Sequence, residues 1–384
     1  VTRRSLLAGT AGGAALTTAG SSIQAFASEP SRAPATTKDY RTKVVLLGTL
    51  GGPGWLDDPV RAGIASALVV GDRYYLVDAG EGAGRQIRAS GIGTAGVGVG
   101  PLDRLGGIFL THLHSDHIVD LNNLLMFGLF GGLEHTERKV TVWGPGNRGE
   151  LPPLFGEPPE PPVVAPDNPT PGTREMVNLL VSAFATDYND RSFDNRKPVP
   201  GELFEGRDVP IADDLLDDPN DEPHPRMSPV IFHEDDRVRV SATLVQHAPV
   251  FPALAYRFDT DDGAVVFSGD TGPSENLDEL AEGADVLVHE VISREWVESL
   301  YPPPRSEAEE GIVNHHLNAH TSDEEVGEIA ERAGAGTLVL THFVPGSWPE
   351  HRWRRAVNGF SGRLVVGRDL DEVGVGARSK TSAT

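Results

Sequence analysis

Cysteine is absent from all 384 residues. No disulfide can brace the chain and no thiolate can ligate a metal, so a metal site would have to use nitrogen and oxygen donors. The absence is also compatible with an oxidising compartment. Positive charge is scarce. Lys and Arg number 33 against 56 Asp and Glu, a formal net charge of −23, and most of the basic residues are arginine. That balance opposes attraction to nucleic acid phosphates, so nucleic acid is not an expected partner. Long apolar runs are missing too. The weakly apolar stretch at residues 8–18 is too short and too rich in glycine to cross a bilayer, and no membrane span is expected. No internal repeat of fixed period is visible.

What is present is concentrated. His112-Leu113-His114-Ser115-Asp116-His117 packs three histidines and an aspartate into six residues. An apolar run, Gly107-Ile108-Phe109-Leu110, precedes it and reads as a buried strand. Ile118-Val119-Asp120-Leu121 follows and reads as the start of a helix. Imidazoles and a carboxylate this close, at a strand end, are suitable metal ligands. His112 and His114, two residues apart, point to one side of an extended chain. Asp116 and His117 lie further on and can face a second ion. Two-metal hydrolases hold their ions roughly 3.5–4 Å apart.

Further donors close other apolar, β-rich runs. Val245-Gln246-His247, Phe267-Ser268-Gly269-Asp270 and Leu340-Thr341-His342 each end such a run. Strand ends that converge on one edge give a metal site a rigid platform. With Leu76-Val77-Asp78-Ala79-Gly80-Glu81-Gly82, these segments resemble the motifs of the metallo-β-lactamase superfamily, and within it the branch of RNase Z and arylsulfatase-like phosphodiesterases. The resemblance runs from about residue 43 to 373 apart from one long insert. It implies a four-layer αββα sandwich of the α/β (α+β) class, with two divalent ions. By resemblance His112, His114 and His247 hold one ion, Asp116, His117 and His342 hold the other, and Asp270 bridges them. Zinc is the default, and manganese or iron also suits these donors.

Val288-His289-Glu290-Val291 resembles the His-Glu-Ala-Thr segment of RNase Z, though Val291 and Ile292 depart from its last two residues. Ala319-His320-Thr321-Ser322 resembles its His-Ser/Thr segment. The resemblance implies that Glu290 and His320 help move a proton to the leaving group, while Asp116 orients the nucleophile. The plainer alternatives are a salt-bridged carboxylate for Glu290 and an N-cap role for His320, because residues 321–325 read as a helix start. Asp78 ends a strand and can orient a ligating histidine through its other ring nitrogen. His315 and His316 read as loop residues.

Along the chain, Thr2-Arg3-Arg4-Ser5-Leu6-Leu7, the weak apolar stretch and Ala25-Phe26-Ala27 resemble a twin-arginine export signal at 1–27. That implies a periplasmic, cell-surface or secreted protein. Residues 28–42 read as a linker and 43–384 as the hydrolase domain. Within it, residues 148–236 hold 16 of the 30 prolines and 20 acidic against 7 basic residues. Much of this insert reads as loop, with one helix at 173–186 and a cap over the metal site as its expected role. The expected activity is hydrolysis of a phosphodiester or sulfate ester in a small molecule, with a homodimer possible on this fold. RNase Z enzymes that bind tRNA unaided often carry a long basic arm between the third-motif histidine and the bridging aspartate. Only 22 residues separate His247 from Asp270 here. The tRNA 3′-endonuclease reading therefore stands as the alternative. A lactonase or other acyl hydrolase would leave Glu290 and His320 without a task. A degenerate binding protein would have lost ligands, and all seven are present.

Overall fold

Val44-Val45-Leu46-Leu47 is apolar at every position, so a strand there has to be covered on both faces. The strand formed there is β1 (Thr42–Gly48). Val44 and Leu46 enter one buried cluster, and Val45 and Leu47 enter another. This alternation organises the molecule, which is described by a computed structural model over residues 40–54, 60–94, 100–154 and 159–376. All of them belong to one compact unit, Thr36–Thr384.

β2 (Ala65–Val70), β3 (Arg73–Val77), β4 (Leu105–Phe109), β5 (Val140–Gly144) and β6 (Phe204–Asp208) extend the sheet that β1 begins. A second sheet contains β7 (Val230–Glu234), β8 (Arg239–Leu244), β9 (Leu254–Thr260), β10 (Gly263–Phe267), β11 (Val286–Ile292), β12 (Thr337–Val344) and β13 (Arg363–Val366). β14 (Glu372–Val375) returns to the first sheet beside β1. The orders are β14-β1-β2-β3-β4-β5-β6 and β13-β12-β11-β10-β9-β8-β7, with seven strands each. Each sheet is antiparallel in one part and parallel in the other. The parallel parts are β3 to β6 and β10 to β13. Parallel neighbours need crossovers, which put helices on the outer faces.

Three clusters show the layers. One lies between the sheets, with Phe109, Tyr256 and Phe258 at its centre. A second joins β1–β6 to helices that include Ala83–Ser90 and Leu121–Gly131. A third joins β9–β13 to helices that include Glu275–Leu280 and Val326–Arg332. This is the αββα sandwich expected from the sequence.

Several expectations need correction. Much of the insert is loop, as expected, but it also carries strands. β6 and β7 lie within it, and each closes the edge of one sheet. Its long helix is two helices, Thr173–Ala183 and Ala185–Asp194. His315 and His316 sit on a helix, Glu307–Ala319, opened by a capping box in which Ser306 and Glu309 exchange side-chain-to-backbone bonds. His320 caps the C-terminal end of that helix and does not begin the next, which starts at Val326. The leader at 1–27 lies outside the described residues, as does most of the stretch read as linker, and Thr42 already belongs to β1.

Candidate active site

The parallel strands of both sheets end on one edge, and the chain leaves them carrying polar residues. Asp78 follows β3, His112 to His117 follow β4, and Asp270 follows β10. Glu290 and His342 lie within the last turns of β11 and β12, where the register between the two strands shifts after Glu290. His342 and Asp78 have φ of 48° and 60°, a left-handed backbone that is uncommon away from glycine. Such conformations gather at functional sites, where the surrounding fold enforces them.

The structure brings all seven ligand candidates together. His112, His114 and His247 form one group with ligand atoms within 4.8 Å of one another. Asp116, His117, Asp270 and His342 form a second on the same criterion. His114 Nδ1 lies 3.5 Å from His247 Nε2. Asp270 lies between the groups: Oδ1 is 3.3 Å from His117 Nε2, while Oδ2 is 3.2 Å from His342 Nε2 and 3.9 Å from both His112 and His247 Nε2. Asp116 Oδ2 is 3.5 Å from His117 Nε2 and 3.4 Å from His342 Nε2.

Divalent ions fit this donor set. Buried His112 Nε2, His117 Nε2, His342 Nε2 and Asp270 Oδ1 have no hydrogen-bond partner, and buried polar groups left so are rare in folded proteins. The charge balance agrees. Burial opposes protonation of His117, yet Asp270, Asp78 and Asp116 outweigh it and hold its pKa well above the ordinary histidine value. For His342 as well, burial is overcome by Asp270 and Asp116, and the pKa is raised. Asp116 and Asp270 lie well below the carboxylate range, against burial, because of those histidines. On the other side burial pushes His112 well down and His247 down to about 3, so both offer neutral donors. A cation can replace the protons on His117 and His342, the usual exchange when a metal binds. The superfamily fold implies divalent ions, often zinc.

Around the donors lies a set of orienting bonds. Asp78 Oδ2 is 2.9 Å from His117 Nδ1, while Asp78 Oδ1 accepts from the Thr111 backbone N–H at 2.8 Å. His247 Nδ1 faces the Ala319 carbonyl at 2.8 Å, and the Gly52 N–H donates to Asp116 Oδ2 at 3.0 Å. The glycine loop before Gly52 must also approach closely, because a Cβ at Gly51 would lie 2.4 Å from His342 Nδ1. Sequence reasoning found Asp78 and, by resemblance, a glycine-rich loop at 48–53 near the metals, but not Thr111 or Ala319. Ala319 acts through its backbone carbonyl, which any residue type carries.

Buried Glu290 and partly buried His320 form a pair beside the metal donors. His320 Nδ1 is 2.9 Å from Glu290 Oε1, which also accepts from the Thr271 N–H at 2.8 Å. His320 Nδ1 lies 3.9 Å from Asp270 Oδ2. Burial would lower the His320 pKa, but Glu290 and Asp270 push it up to about 9. His315 and His316 face each other at 5.7 Å and belong to neither metal group.

A two-sheet platform with two clusters of nitrogen and oxygen donors, and a carboxylate–histidine pair beside them, fits a metal-dependent hydrolase. Comparisons with known proteins place it further. A family profile described as "Beta-lactamase superfamily domain" matches residues 218–343. The chain is 34% identical over 342 residues to a protein named Ribonuclease Z from Mycobacterium bovis strain BCG, covering 88% of this chain and 99% of that one. A Ribonuclease Z from Mycolicibacterium gilvum is 33% identical, with coverage of 87% and 96%. Among solved structures, the short form of human tRNase Z (ELAC1) matches with a TM-score of 0.53 at 16% identity, over 87% of this chain and all of that one. Zn(2+)-bound PqqB from Methylobacterium extorquens matches with a TM-score of 0.51 at 16% identity, over 87% and 100%. The chain belongs to the metallo-β-lactamase superfamily, on the branch of these ribonuclease Z proteins. Among the described residues no helix is long and apolar enough to cross a membrane.

Proposed function

We propose that the chain is a binuclear metal-dependent phosphodiesterase whose substrate is RNA, cut in the manner of a tRNA 3′-endonuclease. The observation that carries the phosphodiester part is the Glu290–His320 pair, at 2.9 Å and beside Asp270. An ester whose leaving group is a poor alkoxide needs a proton as the bond breaks. A lactone or β-lactam reading gives this pair no comparable task. The RNA part is supported by the ribonuclease Z relatives, which the chain matches over nearly their whole length. It replaces the expectation, drawn from charge, that nucleic acid is not a partner.

Bound ions would supply hydroxide at neutral pH and polarise the phosphoryl oxygen. His112, His114 and His247 would hold one, Asp116, His117 and His342 the other, with Asp270 between them. Asp116, itself held by the Gly52 N–H, orients the attacking water. Glu290 fixes the His320 ring and keeps it charged, and His320 delivers its proton to the leaving oxygen. Asp78 holds the His117 ring through Nδ1.

A second reading, a small phosphodiester or sulfate ester as substrate, is favoured by the net charge of −23 and the 22-residue span from His247 to Asp270, which leaves no room for a basic arm. Purified protein loaded with zinc or manganese separates the two. It is given a tRNA precursor with a 3′ trailer, bis-p-nitrophenyl phosphate, p-nitrophenyl sulfate, a lactone and nitrocefin. Trailer removal by a single endonucleolytic cut supports the RNA reading. Diester turnover with an untouched precursor moves the substrate to the small-ester class, and turnover of the lactone alone rejects both.

A further inference from the structure

Beside His114 the surface opens into a groove of about 470 Å³. That lies in the roughly 300–1,000 Å³ range of small-ligand pockets. Six of its lining residues are proline. A proline has no N–H and a rigid ring, so these six bring apolar surface and no backbone donor. Leu113, Ile118, Met176 and Phe251 add apolar surface.

Arg148 is the one arginine or lysine among the lining residues, and its guanidinium is already engaged. It donates to the carbonyls of Pro249 at 2.9 Å and Pro219 at 3.2 Å and bonds Asn220 Oδ1. It also sits over the Phe251 ring at 6.0 Å. Only 7% of Arg148 is exposed, so it braces the groove wall and offers little to a phosphate. Beyond His114, a metal-donor candidate, and Thr170, whose hydroxyl donates to Asn147 Oδ1 at 2.8 Å, the lining side chains offer an anion or a sugar little to bind. One wall, including Arg148 and Met176, comes from the acidic insert, and the opposite wall comes from the loop that follows His247. The insert shapes the space next to the metal donors.

We propose that this groove receives a planar, uncharged ring of the substrate, an aryl group or a nucleobase, next to the phosphate held at the metal pair. The inference rests on the phosphodiester reading for what the phosphate does, but the groove's preference can be measured without turnover. Zinc-loaded full chain is titrated calorimetrically with methyl-, phenyl- and 1-naphthylphosphonate. Burying one ring should raise affinity on the order of 10–100-fold from methyl to naphthyl. Met176→Glu places a charge in the wall and should collapse that ratio. Met176→Ala, a milder change, should lower it partway, and the ratio is internally referenced against any general loss of metal or fold. Equal affinities, no binding of the naphthyl ligand, or a ratio untouched by Met176→Glu overturns the proposal.

Adenosine 3′-phosphate against ribose 5-phosphate separates the sources. A gain that matches the naphthyl gain assigns the groove to a nucleobase, and a gain confined to the naphthyl ligand assigns it to a small aryl ester. Hydrolysis of methyl p-nitrophenyl phosphate is followed in parallel. If it fails while the affinity ratio holds, the phosphodiester reading falls and the groove assignment stands.

Discussion

Replacing Asp78 by Asn tests whether the metal donors are held by what surrounds them. Asp78 is 3% exposed, and its two oxygens divide their work. Oδ2 meets His117 Nδ1 at 2.9 Å and accepts from the Thr111 hydroxyl at 2.9 Å, and Oδ1 accepts from the Thr111 N–H at 2.8 Å. Asn preserves the shape and the Oδ1 acceptor. It also tolerates the φ of 60° at this position, because Asn is among the residues that visit the left-handed region. What it removes is the negative charge facing His117, and it sets an amide donor against the Nδ1–H that must exist if Nε2 is to ligate. Loss of such a partner usually costs 10–100-fold in metal affinity, or about 1.4–2.7 kcal/mol. Asp78→Ala should lose the same and more. It also strands the buried Thr111 N–H, at about 1–3 kcal/mol of fold stability. Zinc affinity is read by competition with a chromophoric chelator, and stability by urea unfolding of the metal-free protein. Asn should weaken zinc with a nearly unchanged urea midpoint, and Ala should do both. An Asn variant that binds zinc within twofold of the parent refutes the argument, because the carboxylate would then play no part in metal binding.

Glu290→Gln and His320→Ala should keep both metals by elemental analysis and lose about 10²–10⁴ in turnover of a diester with a poor leaving group, with a smaller loss for p-nitrophenyl esters; equal rates with the poor leaving group would show that the pair moves no proton. Asp235 gives a pH dependence away from the metals. Burial opposes its charge, but bonds from His233, Tyr75 and the N–H groups of Arg237 and Val238 hold its pKa well below the carboxylate range. A depressed pKa stabilises the fold above the unfolded value, about 3.9, and the contribution is lost as pH falls towards the folded one. The urea midpoint should therefore fall between pH 5 and 3 more steeply in the parent than in Asp235→Asn, and identical slopes would contradict it. We also propose export through the twin-arginine signal at 1–27, and the double substitution Arg3→Lys and Arg4→Lys should leave unprocessed precursor in the cytoplasm; unchanged secretion would exclude that route.

Much of the fold was readable because buried strands write themselves as apolar runs. The runs that became β3, β4, β10 and β12 were located to within a few residues. β6 was not, because Phe204-Glu205-Gly206-Arg207-Asp208 is mostly polar and joins a sheet only through its bonds to β5. The helix Glu307–Ala319 did have a signal. Ser306-Glu307-Ala308-Glu309 is a capping box, but the neighbouring prolines and acidic residues read as loop. At the site, His112, His114, Asp116 and His117 were legible because local spacing alone puts their side chains together. His247, Asp270 and His342 came from resemblance, since no spacing rule brings together residues so far apart in the chain.

By itself, then, the sequence determined the kind of chemistry available. It holds seven nitrogen and oxygen donors and no thiol, and its apolar runs can be covered on both faces only in a layered fold. The tertiary structure alone decided how those pieces meet. It made two seven-stranded sheets of matching layout, although no repeat is visible in the sequence. It set Asp270 between two donor groups and brought His320 against Glu290 across 30 positions of chain. It also turned the acidic insert into two edge strands and one wall of an apolar groove. The physical reason is that donor type and hydrophobic period are local properties of a chain. Distances between strand ends depend on how two sheets pack, and that is fixed only when the whole core forms.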